Sequence, residues 1–125
     1  MTEPTFSASN LPHDHGQDLD KVFSAMPDRE SFQRVAGTFQ LISDATRLRI
    51  LWVICHSEQC VHNIAAAVSM SPPAVSHHLK VLKSSGLITN RRIGKEIHYA
   101  LADTAEAHLA HQVVDEMFMI KCPTL

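Results

Sequence analysis

Nine histidines among 125 residues are more than folding alone requires, and imidazole is the side chain best suited to changing charge near neutral pH or ligating a transition metal. His108 and His111 stand three apart and share a helical face with Asp115, so two ring nitrogens and a carboxylate can converge on one ion. That donor set suits zinc, nickel or cobalt, and a partner chain can add further ligands. The bland alternative is that these groups solvate an exposed face. The three cysteines, Cys55, Cys60 and Cys122, form an odd, sparse set. In a reducing compartment such thiols bind metal, sense redox state or pack as small apolar groups rather than form disulfides.

A second chemistry is the binding of phosphate. The net charge of −2 argues against a polyanionic partner only until the charge is divided along the chain. Between Ser71 and Tyr99 stand Lys80, Lys83, Arg91, Arg92 and Lys95 against the single acid Glu96, a local balance of +4. A basic face of that kind can hold phosphates whatever the total charge.

The elements that must position these groups follow from periodicity and punctuation. Residues 1–16, with Pro4, Pro12 and Gly16, read as a flexible N-terminal arm that ends in Pro12-His13-Asp14-His15-Gly16. Leu19, Val22 and Phe23 predict a short helix ended near Pro27, and Phe32, Val35, Phe39 and Ile42 predict a second. Ser43 or Asp44 can cap a core helix from Ala45 to about His56, with Leu48, Leu51, Trp52 and Cys55 on one stripe. An alanine-rich helix spans Val61 to Val68, and Ser69-Met70 makes a turn. Ser71 then caps a helix with Pro72 at its first position, Val75, Leu79 and Leu82 inward, and Ser76, His77, Lys80 and Lys83 outward. Gly86 closes it. Two β-rich runs, Leu87–Ile93 and Glu96–Leu101, are joined by Gly94-Lys95 in the manner of a type II′ hairpin. Asp103 or Thr104 caps a last helix to about Ile120, edged by Leu109, Val113, Met117 and Ile120.

This order predicts a mainly α (α+β) winged helix-turn-helix, about five helices plus a two-stranded β-hairpin wing, with residues 17–125 as the DNA-binding and dimerisation domain. In such a fold the second helix of the pair enters the major groove and the hairpin lies along the backbone. Ser71, Ser76, His77 and Lys80 belong to the first task and Arg91, Arg92 and Lys95 to the second, with Lys83 a further DNA-binding candidate on the outward face of the same helix. The chain holds no G-x-S-x-G elbow, phosphate-binding glycine loop or H-E-x-x-H, so an enzyme is not expected. With no apolar run of about 20 residues and no signal-peptide pattern, neither a membrane partner nor export is expected, and the reading is cytoplasmic.

Ser43-Asp-Ala-Thr-Arg-Leu-Arg-Ile-Leu51 resembles the D-P-T-R-L-R-I-L opening of the ArsR/SmtB family. Ser71-Pro-Pro-Ala-Val-Ser-His-His-Leu-Lys-Val-Leu-Lys-Ser-Ser-Gly-Leu-Ile88 is similar to that family's recognition helix, and Arg92-Ile-Gly-Lys-Glu-Ile-His-Tyr99 to its wing. The resemblance covers about residues 32–120. It implies a homodimer built on the first and last helices that binds an imperfect palindrome of double-stranded operator DNA and lets go when an inducer binds.

The resemblance also implies metal-ligand regions. Glu58-Gln-Cys60-Val-His62-Asn63 is similar to the family's E-L-C-V-C-D thiolate segment, with His62 in place of the second cysteine. Cys60 and His62, with His13 and His15, would suit zinc, cadmium, copper or cobalt. On the last helix the family's D-x-H finds Ala105 after Asp103, whereas a two-residue insertion makes Glu106-Ala-His108 the equivalent. The inducer implied is a transition-metal ion, zinc or nickel first, held by residues drawn from Asp103, Glu106, His108, His111 and Asp115, or from Cys60 and His62. The alternative is a metal-independent regulator whose thiols sense oxidants or sulfur species.

Overall fold

The computed structural model describes residues 11–119. Ile120, Cys122 and most of the N-terminal arm lie outside the described residues. Among them six helices and three strands follow in order: α1 (Asp20–Ser24), α2 (Arg29–Ile42), α3 (Ala45–His56), β1 (Gln59–Cys60), α4 (Val61–Val68), α5 (Pro72–Ser84), β2 (Ile88–Ile93), β3 (Glu96–Leu101) and α6 (Ala105–Phe118). The chain divides into two compact units between Gly37 and Thr38. In the first, residues 11–19 carry no helix or strand, and α1 has the single turn that Leu19, Val22 and Phe23 predict.

The second unit holds the winged helix-turn-helix. Asp44, not Ser43, caps α3, its carboxylate accepting from the Arg47 amide at 2.9 Å. Ser71 caps α5 through the Ala74 amide, and Pro72 occupies the first turn, where a missing N–H costs nothing. Thr104 rather than Asp103 caps α6, at 3.1 Å from the Ala107 amide. Ser69 ends α4 in the left-handed region with φ 56°, an uncommon conformation for a residue with a Cβ. At the hairpin tip Gly94 has φ 63° while Lys95 has none of the positive φ a type I′ turn would need, so the type II′ expectation holds.

The core joins Ile50, Leu51 and Ile54 of α3, Ile64, Ala65 and Val68 of α4, Val75, Leu79 and Leu82 of α5, with Leu87, Ile88 and Ala110. The inward stripe of α5 is the one its period predicts. Two helices bury faces shifted from the expected ones. On α3 the buried centre is Ile50, Leu51 and Ile54, and Leu48 and Trp52 are half-buried beside an apolar groove of about 650 Å³ that also touches Val53, Ala67 and Phe118. On α6 the buried residues are Ala107, Ala110 and Val114, while Leu109 is 60% and Met117 80% exposed. Small side chains let α6 lie close against its own chain and leave its larger apolar edge outward.

The sheet has one strand more than the hairpin. β1 pairs antiparallel with β3, Cys60 opposite His98, and gives the order β1-β3-β2. Two residues are too few for alternation to announce a strand.

Candidate nucleic-acid interface and metal centre

Helix α5 presents Ser76, His77, Lys80 and Lys83 on its exposed face, because burial of Val75, Leu79 and Leu82 fixes its rotation. Ser71 is exposed, but its hydroxyl is engaged as the helix cap. On the wing, Arg91, Arg92 and Lys95 are all exposed. Their surroundings differ. The Arg92 Nε donates to the Gly94 carbonyl at 3.2 Å, whereas Arg91 Nε lies 2.6 Å from the Glu58 carboxylate. That hydrogen bond holds the guanidinium above its already high range. Glu58 escaped the sequence reading as a partner because it lies 33 residues away, beyond the reach of any local pattern.

The candidate ligands separate into three places. Cys60 is 5% exposed in β1, opposite His98, and precedes the first turn of α4. His62 is exposed in that turn. Neither belongs to a cluster of three ligating side chains among the described residues. His108 turns to Asp103, Nε2 to Oδ1 2.8 Å, at the exposed start of α6, where Glu106 is also exposed. His13 and His15 stack on each other with ring centroids 6.0 Å apart.

His111 and Asp115 do come together, Nε2 to Oδ2 3.0 Å. Their third companion is His56 at the end of α3, whose Nε2 lies 3.0 Å from the other oxygen of Asp115. Ligand atoms of the three lie within 4.8 Å of one another. The His56 side chain is 5% exposed and Asp115 15%, so the carboxylate is largely withdrawn from water. His56 Nδ1 sits 2.6 Å from the Trp52 carbonyl, and its ring meets the indole of Trp52 at 4.4 Å and the ring of His111 edge-on at 5.0 Å. The period of α6 predicted the pair on that helix. A single histidine in the last turn of an apolar helix carries no such signal, since it reads equally well as a partner for the helix dipole.

Residues 44–90 match the family description "Bacterial regulatory protein, arsR family". The chain is 35% identical over 102 residues to the transcriptional repressor SmtB homolog of Synechocystis sp., covering 79% of this chain and 77% of that protein. It is also 35% identical over 103 residues to the cadmium resistance transcriptional regulatory protein CadC homolog of Staphylococcus aureus, covering 80% and 82%. Among solved structures, the homodimeric winged helix-turn-helix DNA-binding domain of a possible ArsR-family regulator from Mycobacterium bovis superposes with a TM-score of 0.63 at 28% identity, over 76% of this chain and 89% of that one. A polar outer face on α5, a basic hairpin beside it and relatives matched over most of their length converge on one conclusion: the chain belongs to the ArsR family of bacterial regulatory proteins and is a DNA-binding transcriptional regulator, not an enzyme.

Proposed function

We propose that this chain is a repressor that binds palindromic operator DNA as a homodimer and releases it when a transition-metal ion, zinc or nickel first, binds on its last helix. The observation that carries the inducer is the pairing of His111 with Asp115 on α6, nitrogen and oxygen donors set at 3.0 Å in a partly buried position beside a depression of about 290 Å³. Imidazole and carboxylate suit zinc, nickel and cobalt. The relative named for cadmium resistance supports a metal as the signal, and the SmtB homolog, named a transcriptional repressor, supports repression.

In this reading Ser76, His77 and Lys80 face base edges, while Ser71, Lys83, Arg92, Lys95 and Arg91 serve the backbone. The exposed apolar residues Leu109 and Met117 on α6 and Phe32, Val35 and Phe39 on α2 supply what a second copy would cover. A bound ion would supply a rigid electrostatic tie to α6. With α6 at the dimer contact, its altered seating changes the spacing of the two α5 helices away from the roughly 34 Å that successive major grooves demand. DNA affinity then falls although no contact residue changes. Reciprocity requires operator DNA to weaken metal binding by the same factor, typically ~5–150-fold.

The test is a titration of the protein bound to its own upstream DNA with zinc, nickel, cobalt, cadmium and copper in turn, release being followed by fluorescence anisotropy. Release by one or more of the nitrogen-preferring ions is expected. Retention of the complex in all five overturns the proposal.

A further inference from the structure

We infer that His56, His111 and Asp115 form a transition-metal site contained within a single chain, joining the end of α3 to α6, with His56 as its most buried ligand. This rests on the metal-released reading above and names the site through which it would act.

The argument begins with hydrogen-bond chemistry. A carbonyl only accepts, so the His56 Nδ1 beside the Trp52 carbonyl at 2.6 Å carries a proton. A neutral imidazole then has only a lone pair left at Nε2, and that atom faces a carboxylate oxygen at 3.0 Å. Two acceptors do not attract; the contact is satisfied by a second proton or by a metal ion between them. His111 Nε2 faces the other oxygen, Asp115 Oδ2, at 3.0 Å, where a ring protonated at Nε2 donates and one protonated at Nδ1 offers its lone pair to an ion. One carboxylate thus uses both oxygens on two imidazoles in a half-buried setting, and the contact at His56 calls for positive charge.

The remaining features fit a metal. With metal–nitrogen bonds of ~2.0–2.1 Å, neighbouring ligand atoms in a tetrahedral site stand about 3.3 Å apart, close to the 3.0 Å from each imidazole nitrogen to its own Asp115 oxygen, and ligand atoms of all three residues lie within 4.8 Å of one another. A metal-ligating histidine normally donates its other N–H to a carbonyl or carboxylate, which fixes the ring and raises its basicity; Trp52 provides that carbonyl. Nitrogen and oxygen donors without a thiolate select Zn(II), Ni(II) or Co(II) over thiophilic ions. Helix α3 packs against α4 and α5 as well as α6, so tightening the tie at His56 acts on the recognition helix through a packed neighbour.

The chain's single tryptophan reports on the site, because the Trp52 indole lies against the His56 ring, centroids 4.4 Å apart. In the intact dimer, zinc, nickel or cobalt should change Trp52 fluorescence and saturate at one ion per chain. By equilibrium dialysis, His56→Gln and Asp115→Asn should each weaken binding by more than the ~10–100-fold that loss of an outer-shell partner costs. His108→Ala should have a much smaller effect. Circular dichroism confirms that each variant is folded, and Asp115→Asn leaves the Trp52–His56 ring contact in place should His56→Gln prove unstable. Mixing the two variants then decides whether one chain suffices. If all ligands lie in one chain, mixed dimers have no intact site, whereas ligands shared across the interface rebuild one site of two in each mixed dimer; random pairing makes half of the dimers mixed, so recovery of about a quarter of the tight sites overturns the inference. Metal-driven release that survives His56→Gln and Asp115→Asn also overturns it and leaves the metal-released reading standing. Absence of any metal-driven release from the unaltered protein overturns both.

Discussion

Arg91 offers the sharpest test of how the wing meets DNA, because its guanidinium is already engaged. Its Nε lies 2.6 Å from Glu58, and a phosphate must compete with that carboxylate. Side-chain exposures of 69% for Arg91 and 33% for Glu58 place the pair largely in water, where such contacts are weak. Removing the competitor by Glu58→Gln should therefore tighten DNA binding by only about 1.5–5-fold at low salt. The salt dependence is more informative. Each phosphate neutralised contributes about 0.9 to the slope of log K against log salt. With Glu58 present, Arg91→Ala should lower that slope by less than about half this amount; in the Glu58→Gln background the same change should remove nearly all of the ~0.9. Fluorescence anisotropy with a fixed operator fragment between about 50 and 200 mM salt covers the useful range. A loss of ~0.9 in both backgrounds would show that Glu58 does not hold Arg91 back, and no loss in either would remove Arg91 from the interface.

Three further outcomes are expected. Changing Ser76 or His77 to alanine should cost roughly 1–3 kcal/mol of discrimination between operator and mismatched DNA and much less affinity for random DNA; equal losses on both would place these side chains away from base edges. Ser69→Gly should stabilise the fold by about 0.5–1 kcal/mol, since glycine adopts the φ of 56° without a Cβ penalty and loses part of the gain to its freer unfolded chain. An unchanged or lower urea midpoint would refute this. The Asp44 carboxyl is held below its usual range chiefly by the Arg47 amide. Its contribution to stability is therefore fully present above the unfolded carboxyl value and lost as pH falls through the lower folded one. Asp44→Asn, which keeps an accepting cap, should flatten that acid limb in urea unfolding measured across the pH series.

What the sequence determined by itself is the local part of this protein: helix order, the cap Ser71, the inward stripe of α5, the type II′ turn at Gly94 and the basic wing. Each depends on residues a few positions apart, so periodicity and turn chemistry express it directly. The pair His111 and Asp115 was legible for the same reason, being one helical turn apart. Where two local solutions competed, at Ser43 and Asp44 and at Asp103 and Thr104, only the folded chain chose, and the unused Asp103 turned to His108 instead. The remaining features required the tertiary structure: β1 joined to β3, Glu58 brought to Arg91, and His56 brought to Asp115 across 59 residues of chain. No short-range preference specifies these contacts. They arise because burying Ile50, Leu51 and Ile54 fixes the rotation of α3, and burying Ala110 and Val114 fixes that of α6. The polar groups at the helix ends are then carried together by apolar packing elsewhere.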